Sequence, residues 1–309
     1  MNIVYYGACW PTNIGNAFID YGSMYKLKTV MPEANVYFAS ELPRYLFHIN
    51  HLNMDNSSDL ADLMEIDYLV VSGMTLCDDF ITVEGPILQK LSTRGVKIIF
   101  SGCGGARYTD DEIKNFTEFF KTINLIGFIS RDEVSYQNFK DCCALTYSGI
   151  DCAFFLKDTF KAAPLNLKNF VIYNFDTMEE PAIENHDKVI IRTNHACTEF
   201  VHKSSDYHIN LFKKKKLTRD HVLMSDIPED YLNLYANTYG VYSDRVHACI
   251  ATLAFGNRAK HFSLSPRSYL FDRLGVKNIR EELVKLDPDM LLQEKENQLN
   301  FLKKIFENS

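Results

Sequence analysis

Two successive rounds of alternation constrain this chain more than any other feature. Short apolar runs rich in Val, Ile, Phe and Tyr recur at 3–6, 36–39, 68–72, 97–101, 125–130 and 144–148. Helix-like stretches separate them at 16–31, 57–64, 85–91, 110–123 and 132–139. Near-continuous apolar strands separated by helices mark a parallel sheet covered on both faces. A less patterned stretch at 157–169, containing Ala162-Ala163-Pro164, reads as a linker. The alternation then restarts, with strands at 170–175, 189–192, 239–243 and 260–263 and helices at 231–236 and 246–255. A long amphipathic helix at 289–306 follows, with Leu291, Leu292, Leu299, Leu302 and Ile305 on its apolar side. The expectation is an α/β protein of two αβα domains, 1–160 and 161–309, facing a cleft. The final helix is drawn with the second domain and is expected to pack back across the junction. Ligands of such sheets bind outside the carboxyl ends of the strands.

Charge narrows the function classes. Lys and Arg number 33 against 40 Asp and Glu, a net charge of −7, which lacks the positive field that general nucleic-acid binding requires. No apolar run approaches the ~20 residues of a membrane span. The chain opens on a short strand instead of a basic region with a long apolar stretch, so no signal peptide is read there. The expected location is the cytoplasm, with at most peripheral contact at the inner face of a membrane. Lys213–Lys216 is either a solvated face or a weak contact for anionic lipid or polysaccharide. The eight cysteines include no C-x-x-C pair, so they read as reduced thiols in mostly apolar surroundings. His48, His51, His195, His202 and His208 lack zinc-ligand spacing, and no metal site is expected. His195 is the least bland of these because it follows a strand. No feature of the sequence sets an oligomeric state.

Four strand-to-helix junctions carry candidate chemistry. The turn from Gly7 to Asn16 lacks G-x-G-x-x-G but holds two glycines, Thr12, Asn13 and Asn16. Its Asn13, Gly15 and Asn16 present backbone N–H groups to an anion or sugar, or else Thr12 or Asn13 simply caps the helix that follows. Gly102, Gly104 and Gly105, with Arg107 close by, either let a ligand approach the backbone or serve a loop needing positive φ. Ser72-Gly73-Met74-Thr75 is a weaker instance. Arg131 ends a strand and points toward the cleft, where a guanidinium can grip carboxylate or phosphate in two-pronged fashion. Ser130 and Glu133 beside it also fit a capping box. The fourth junction is the strongest: Tyr242-Ser243-Asp244-Arg245-Val246-His247-Ala248 leads into an apolar helix, which forces Arg245 and His247 toward the strand's carboxyl end. Positions two apart share no helix face, so the two either flank a ligand from two directions or Arg245 still lies in the turn. A core histidine is the plainer alternative for His247.

Together these junctions resemble the polysaccharide pyruvyl transferase family. The resemblance spans nearly the whole chain. It rests on Asn13-Ile14-Gly15-Asn16, on Ser130-Arg131-Asp132-Glu133-Val134-Ser135-Tyr136, and on Asp151-Cys152-Ala153-Phe154, which is similar to the family's Asp-x-Ala-Phe. Ser243-Asp244-Arg245-Val246-His247-Ala248, followed by Leu253-Ala254-Phe255-Gly256-Asn257, is the best match, and 269–275 resembles the family's short helix ending in Leu-Gly. The resemblance implies two Rossmann-like domains similar to the GT-B glycosyltransferases. It implies transfer of the pyruvyl skeleton of phosphoenolpyruvate, a co-substrate, onto a carrier-linked sugar or oligosaccharide of a surface polysaccharide precursor as a cyclic ketal, with no other cofactor. Donor contacts carry over to Arg131, Arg245 and His247, with Arg245 and His247 as the catalytic pair. The chain departs from the family at Asn16, where aspartate is common, at Ser72-Gly73-Met74-Thr75, where consecutive glycines are common, and at Cys103-Gly104-Gly105. Alternatives are a GT-B glycosyltransferase using a nucleotide sugar, with Asp226 and Glu229 as loose candidates, and a non-catalytic glycan-binding relative. Ketal formation needs a proton for the donor methylene, which suits a histidine, and stabilisation of departing phosphate, which suits arginines.

Overall fold

A computed structural model describes residues 1–7, 13–40, 61, 64–167, 169–184, 187–195 and 220–309. Cys9, Thr12, Cys197, His48, His51, His202, His208, Lys213–Lys216 and most of the helix expected at 57–64 lie outside the described residues. In chain order the first half runs β1 (Asn2–Gly7), α1 (Ile14–Val30), β2 (Asn35–Ser40), β3 (Tyr68–Leu76), α2 (Asp78–Thr93), β4 (Lys97–Gly105), α3 (Asp110–Phe120), β5 (Leu125–Ser130), α4 (Glu133–Phe139) and β6 (Thr146–Ser148). A 3-10 turn (Cys152–Phe155) and α5 (Leu156–Thr159) lead to β7 (Phe170–Asn174), β8 (Val189–Thr193), β9 (Val222–Leu223), α6 (Pro228–Asn237), β10 (Gly240–Ser243), α7 (Val246–Ala254) and β11 (Arg258–His261). Two further 3-10 segments (Pro266–Leu274 and Lys277–Arg280) precede α8 (Pro288–Glu307).

The strands form two sheets, in the orders β2-β1-β3-β4-β5-β6 and β11-β10-β7-β8-β9. Every pairing between these strands is parallel. The reason is visible in burial. All of Ile98, Ile99, Phe100, Phe128 and Ile129 are solvent-free, as helices covering both faces require. The carboxyl ends of the two sheets face a common cleft, and α1 stands between them. Its Ile14 and Phe18 share a core with Tyr235, Ala248 and Ile250 of the second lobe. Polar residues on its buried faces find partners at the sheet: Tyr5 Oη donates to Asp20 (2.8 Å), Ser23 to Ser72 (3.0 Å) and Lys26 to Ser101 (2.8 Å).

The start of α2 is among the differences from the sequence reading. The helix expected at 85–91 begins at Asp78, because Phe80 joins Ile87, Leu88 and Leu91 on one buried face. That burial offsets the backbone hydrogen bond Pro86 removes. The last helix, α8, follows the second lobe in the chain but seats on the first. Leu302, Ile305 and Phe306 pack with Ile3, Tyr5 and Ile129. Gln298 Oε1 accepts the Ile150 N–H at 2.7 Å. Cys77, Cys103, Cys152 and Cys249 are buried free thiols. No helix among the described residues is long and apolar enough to cross a membrane.

Candidate active site

The cleft holds a cavity of about 360 Å³ at the strand ends of both sheets. Its second-lobe wall is set by the turn between β10 and α7. Ser243 Oγ accepts the Arg245 N–H (2.8 Å) and fixes the turn. Asp244 accepts the backbone N–H groups of Asp176 (3.1 Å), Thr177 (2.7 Å) and Met178 (3.0 Å) and the Thr177 hydroxyl (2.7 Å). The turn is thereby tied to the loop after β7, and the Asp244 charge is spread over that loop's N–H groups. Arg245 is the N-cap of α7, and its Nε donates to Asp176 Oδ2 at 2.8 Å. The first turn of α7 has no acidic residue and no side-chain cap, so its N–H groups add positive potential toward the cavity. His247 lies in the first turn of α7, and its ring faces the start of α1. A Cβ at Gly15 would lie 2.9 Å from the His247 Cβ and 3.1 Å from its Nδ1, so Gly15 is the residue that admits the histidine.

The first-lobe wall carries Arg131, only 1% exposed yet lining the cavity. Its backbone N–H donates to Cys103 O (2.8 Å) and its Nη2 to Gly105 O (3.2 Å). Nη1 lies 3.7 Å from Asp151 Oδ2 and Nε 3.9 Å from Asp132, while Nε makes no hydrogen bond. Burial works against this charge, but Tyr108, Asp151 and Asp132 outweigh it and hold the guanidinium above its ordinary value. Gly104 gives the arginine its space, because a Cβ there would stand 2.3 Å from Nε. Among the described residues the rest of this wall is uncharged: Tyr6, Asn13, Asn16, Ser72, Met74 and Thr75. Asn13 also caps α1, its Oδ1 accepting the Gly15 N–H at 3.0 Å. Thr75 Oγ1 is buried without a hydrogen-bond partner.

Asn13, Asn16, Arg131, Arg245 and His247 thus line one cavity, with Gly15 packed against the histidine. Gly102, Gly104 and Gly105 do not line it; they are buried in β4, where they leave room for Cys152, Arg131 and Tyr108. Asp226 and Glu229 also lie away from it, Glu229 accepting from Tyr21 Oη at 2.6 Å. His195 lines the cavity as a buried ring, its Nε2 2.5 Å from Tyr235 Oη and its carbonyl accepting the first N–H of α1 (3.0 Å). Burial, then Arg245 and His247, push its pKa well below the ordinary histidine value, so the ring is neutral.

Sequence reasoning missed Arg267. It follows Ser265-Pro266 just beyond β11, lines the cavity, and has a buried Nε without a partner. Its pKa is lowered by burial first and then by Arg131 and Arg245. Three guanidiniums therefore share one small space. The signal was available, since Arg131, Arg245 and Arg267 all come shortly after a strand's carboxyl end.

Arg131 and Arg245 each have a carboxylate near them, set back from the cavity. Asp132, Asp151 and Asp176 do not line the cavity, whereas Arg131, Arg245 and Arg267 do. Burial raises Asp176, and Arg245 opposes that. Burial also pushes Asp151 up, but His247, Arg131 and the Ala153 N–H outweigh it and hold the carboxyl below its usual range. The arrangement can take a small, multiply charged anion against arginines and a histidine. Among the described residues no group of three or more His, Cys, Asp or Glu could hold a metal ion.

With this geometry in hand, the comparisons with known proteins are specific. The profile of the polysaccharide pyruvyl transferase family matches residues 11–258. No curated protein matches the chain. Among solved structures, MnaA from S. aureus, in a structure with UDP, superposes with a TM-score of 0.55 at 11% identity, covering 98% of this chain and 90% of that one. The UDP-GlcNAc 2-epimerase of Neisseria meningitidis bound to UDP-GlcNAc gives 0.56 at 10%, covering 99% and 94%. That of Methanocaldococcus jannaschii in complex with UDP-GlcNAc and UDP gives 0.55 at 12%, covering 97% and 93%. The fold is accordingly GT-B-like, with two Rossmann-like sheets facing a cleft.

Proposed function

The chain belongs to the polysaccharide pyruvyl transferase family, and from that premise we propose that it transfers the pyruvyl skeleton of phosphoenolpyruvate onto two hydroxyls of a carrier-linked sugar. The observation that carries this reading is the convergence of Arg131, Arg245 and Arg267 on one cavity, with the carboxylate partners of Arg131 and Arg245 behind them. Phosphoenolpyruvate bears phosphate and carboxylate on adjacent carbons and needs cations on more than one side. His247 delivers a proton to the donor methylene, and the arginines with the N-terminus of α7 stabilise the departing phosphate. Of the two hydroxyl protons lost by the sugar, the new methyl group takes the equivalent of one and phosphate the other, so the ketal forms without net proton uptake. The uncharged wall of Asn16, Ser72 and Thr75 offers amide and hydroxyl groups to the acceptor. The reaction fits the cytoplasm at the inner face of the membrane, where carrier-linked precursors are assembled.

A second reading is transfer from a nucleotide sugar, favoured by the structural neighbours solved with UDP or UDP-GlcNAc. One experiment separates the two. The protein is incubated with phosphoenolpyruvate or a UDP-sugar and a panel of carrier-linked saccharides, and phosphate and UDP release are followed. Acceptor-dependent phosphate release with a new ketal methyl signal by proton NMR supports pyruvyl transfer. UDP release with no use of phosphoenolpyruvate overturns it.

A further inference from the structure

Behind the cavity, one carboxylate oxygen stands between the functional groups of the two walls. Asp151 Oδ2 is 3.7 Å from Arg131 Nη1 and 3.6 Å from His247 Nε2. The other oxygen, Oδ1, accepts the Ala153 N–H at 2.9 Å, which anchors the carboxylate at the head of the 3-10 turn. Asp151 is fully buried and does not line the cavity, so any effect on substrate passes through its two neighbours.

We propose that Asp151 is a positioning residue for the transfer, holding the His247 ring by Nε2 and favouring its protonated form, while Nδ1 is left toward the cleft. The proposal rests on the pyruvyl-transfer reading for the role it gives His247. Nε2 of that ring is buried and has no hydrogen-bond partner, and Nδ1 lies against Gly15 at the start of α1. A ring nitrogen facing a carboxylate keeps its proton there, and the opposite nitrogen is free to give one up. Contacts of 3.6 and 3.7 Å are longer than hydrogen bonds, as is common in sites without substrate, and they shorten when the ring is charged.

The other groups around the ring make this carboxylate decisive. Arg131 approaches from the end of β5, Arg245 from the turn before α7, and the buried His195 from the end of β8. The N-termini of α1 and α7 point the same way. The arginines and the helix N-termini disfavour a positive charge on the ring, while His195 is neutral. Asp176 is engaged by Arg245 and the His195 N–H, and Asp244 by the 176–178 loop. Among the described residues, Asp151 is the carboxylate in ionic contact with the ring. It also ties the proton donor of one lobe to the phosphate-side arginine of the other, so the two are set by a single group.

The test is the Asp151→Asn variant, with Asp151→Glu as the charge-keeping control. His247 is titrated by proton NMR without substrate, assigned by its loss in His247→Gln, and kcat is measured from pH 6 to 9. In Asp151→Asn the ring should titrate ~0.7 pH unit or more lower than in the native chain. That is the effect of a unit charge ~4 Å away even under full water screening. The alkaline limb of kcat should move with it toward lower pH, so that the variant's deficit widens as pH rises. Asp151→Glu should restore the native limb. An unmoved titration, or a kcat loss equal at every pH, overturns the proposal. Failure of both variants to fold also overturns it, because the carboxylate then belongs to the fold. The titration needs no turnover, so it decides the role of Asp151 even where phosphoenolpyruvate is not the donor.

Discussion

The two walls of the cleft share one backbone plan, the strand ends of a parallel sheet meeting helix N-termini, yet they carry opposite chemistry. The second-lobe wall presents Arg245, His247 and Arg267, with the Asp244 carboxylate tied to the 176–178 loop. The first-lobe wall presents Tyr6, Asn16, Ser72 and Thr75, with Arg131 as its one charged member among the described residues and that arginine almost wholly buried. The second wall is shaped for a charged partner. The first is shaped for one that brings hydroxyls and little charge. The difference teaches that the parallel-sheet scaffold supplies a place and a polarity, while the few side chains just past each strand decide which substrate goes where. Arg131, held at the bottom of the neutral wall by carboxylates, is where the two chemistries meet.

The comparison can be broken on either side. On the charged wall, His247→Gln keeps a polar side chain but cannot supply a proton near neutral pH. It should lower kcat by ~10²–10⁴ with donor affinity little changed. Affinity lost with kcat intact would make His247 a binding group and move the acid elsewhere. On the neutral wall, Thr75→Val keeps the shape and removes one hydroxyl. It should raise the acceptor KM by ~3–10-fold, the worth of one neutral hydrogen bond, and leave the donor KM as it was. A donor effect from Thr75→Val would erase the division between the walls.

The sequence carried the architecture because parallel strands, buried on both faces, read as bare apolar runs that no exposed element imitates. It also carried Arg131, Arg245 and His247, since polar residues between a buried strand and a buried helix have only the cleft to face. Arg267 followed the same rule and was missed because Pro266 and a 3-10 segment, rather than an α-helix, come after β11. The glycines were harder. Gly15 and Gly104 are adjacent to function, but the contact that requires each is with His247 or Arg131, far away in the chain. Asp151 showed only as part of a motif, because its meaning lies in two contacts from opposite lobes. The seat of α8 on the first sheet was only partly legible. Its apolar side was plain, but amphipathicity names a buried face and not the partner that covers it.

The central claim is that the arginines bind phosphoenolpyruvate, and Arg267 tests it most directly. Removing Arg131 would leave Asp132 and Asp151 buried without their cation, at a cost to folding of ~3–5 kcal/mol that confuses the result. Arg267 forms no ion pair with a carboxylate among the described residues, so Arg267→Gln strips a cation from the cavity without stranding a buried charge. The measurement is calorimetric titration of phosphoenolpyruvate into the native chain and into Arg267→Gln, without acceptor. The account predicts one site per chain, weakened ~10-fold or more in the variant by loss of a charged hydrogen bond. No binding by the native chain, or equal binding by the two, would contradict it.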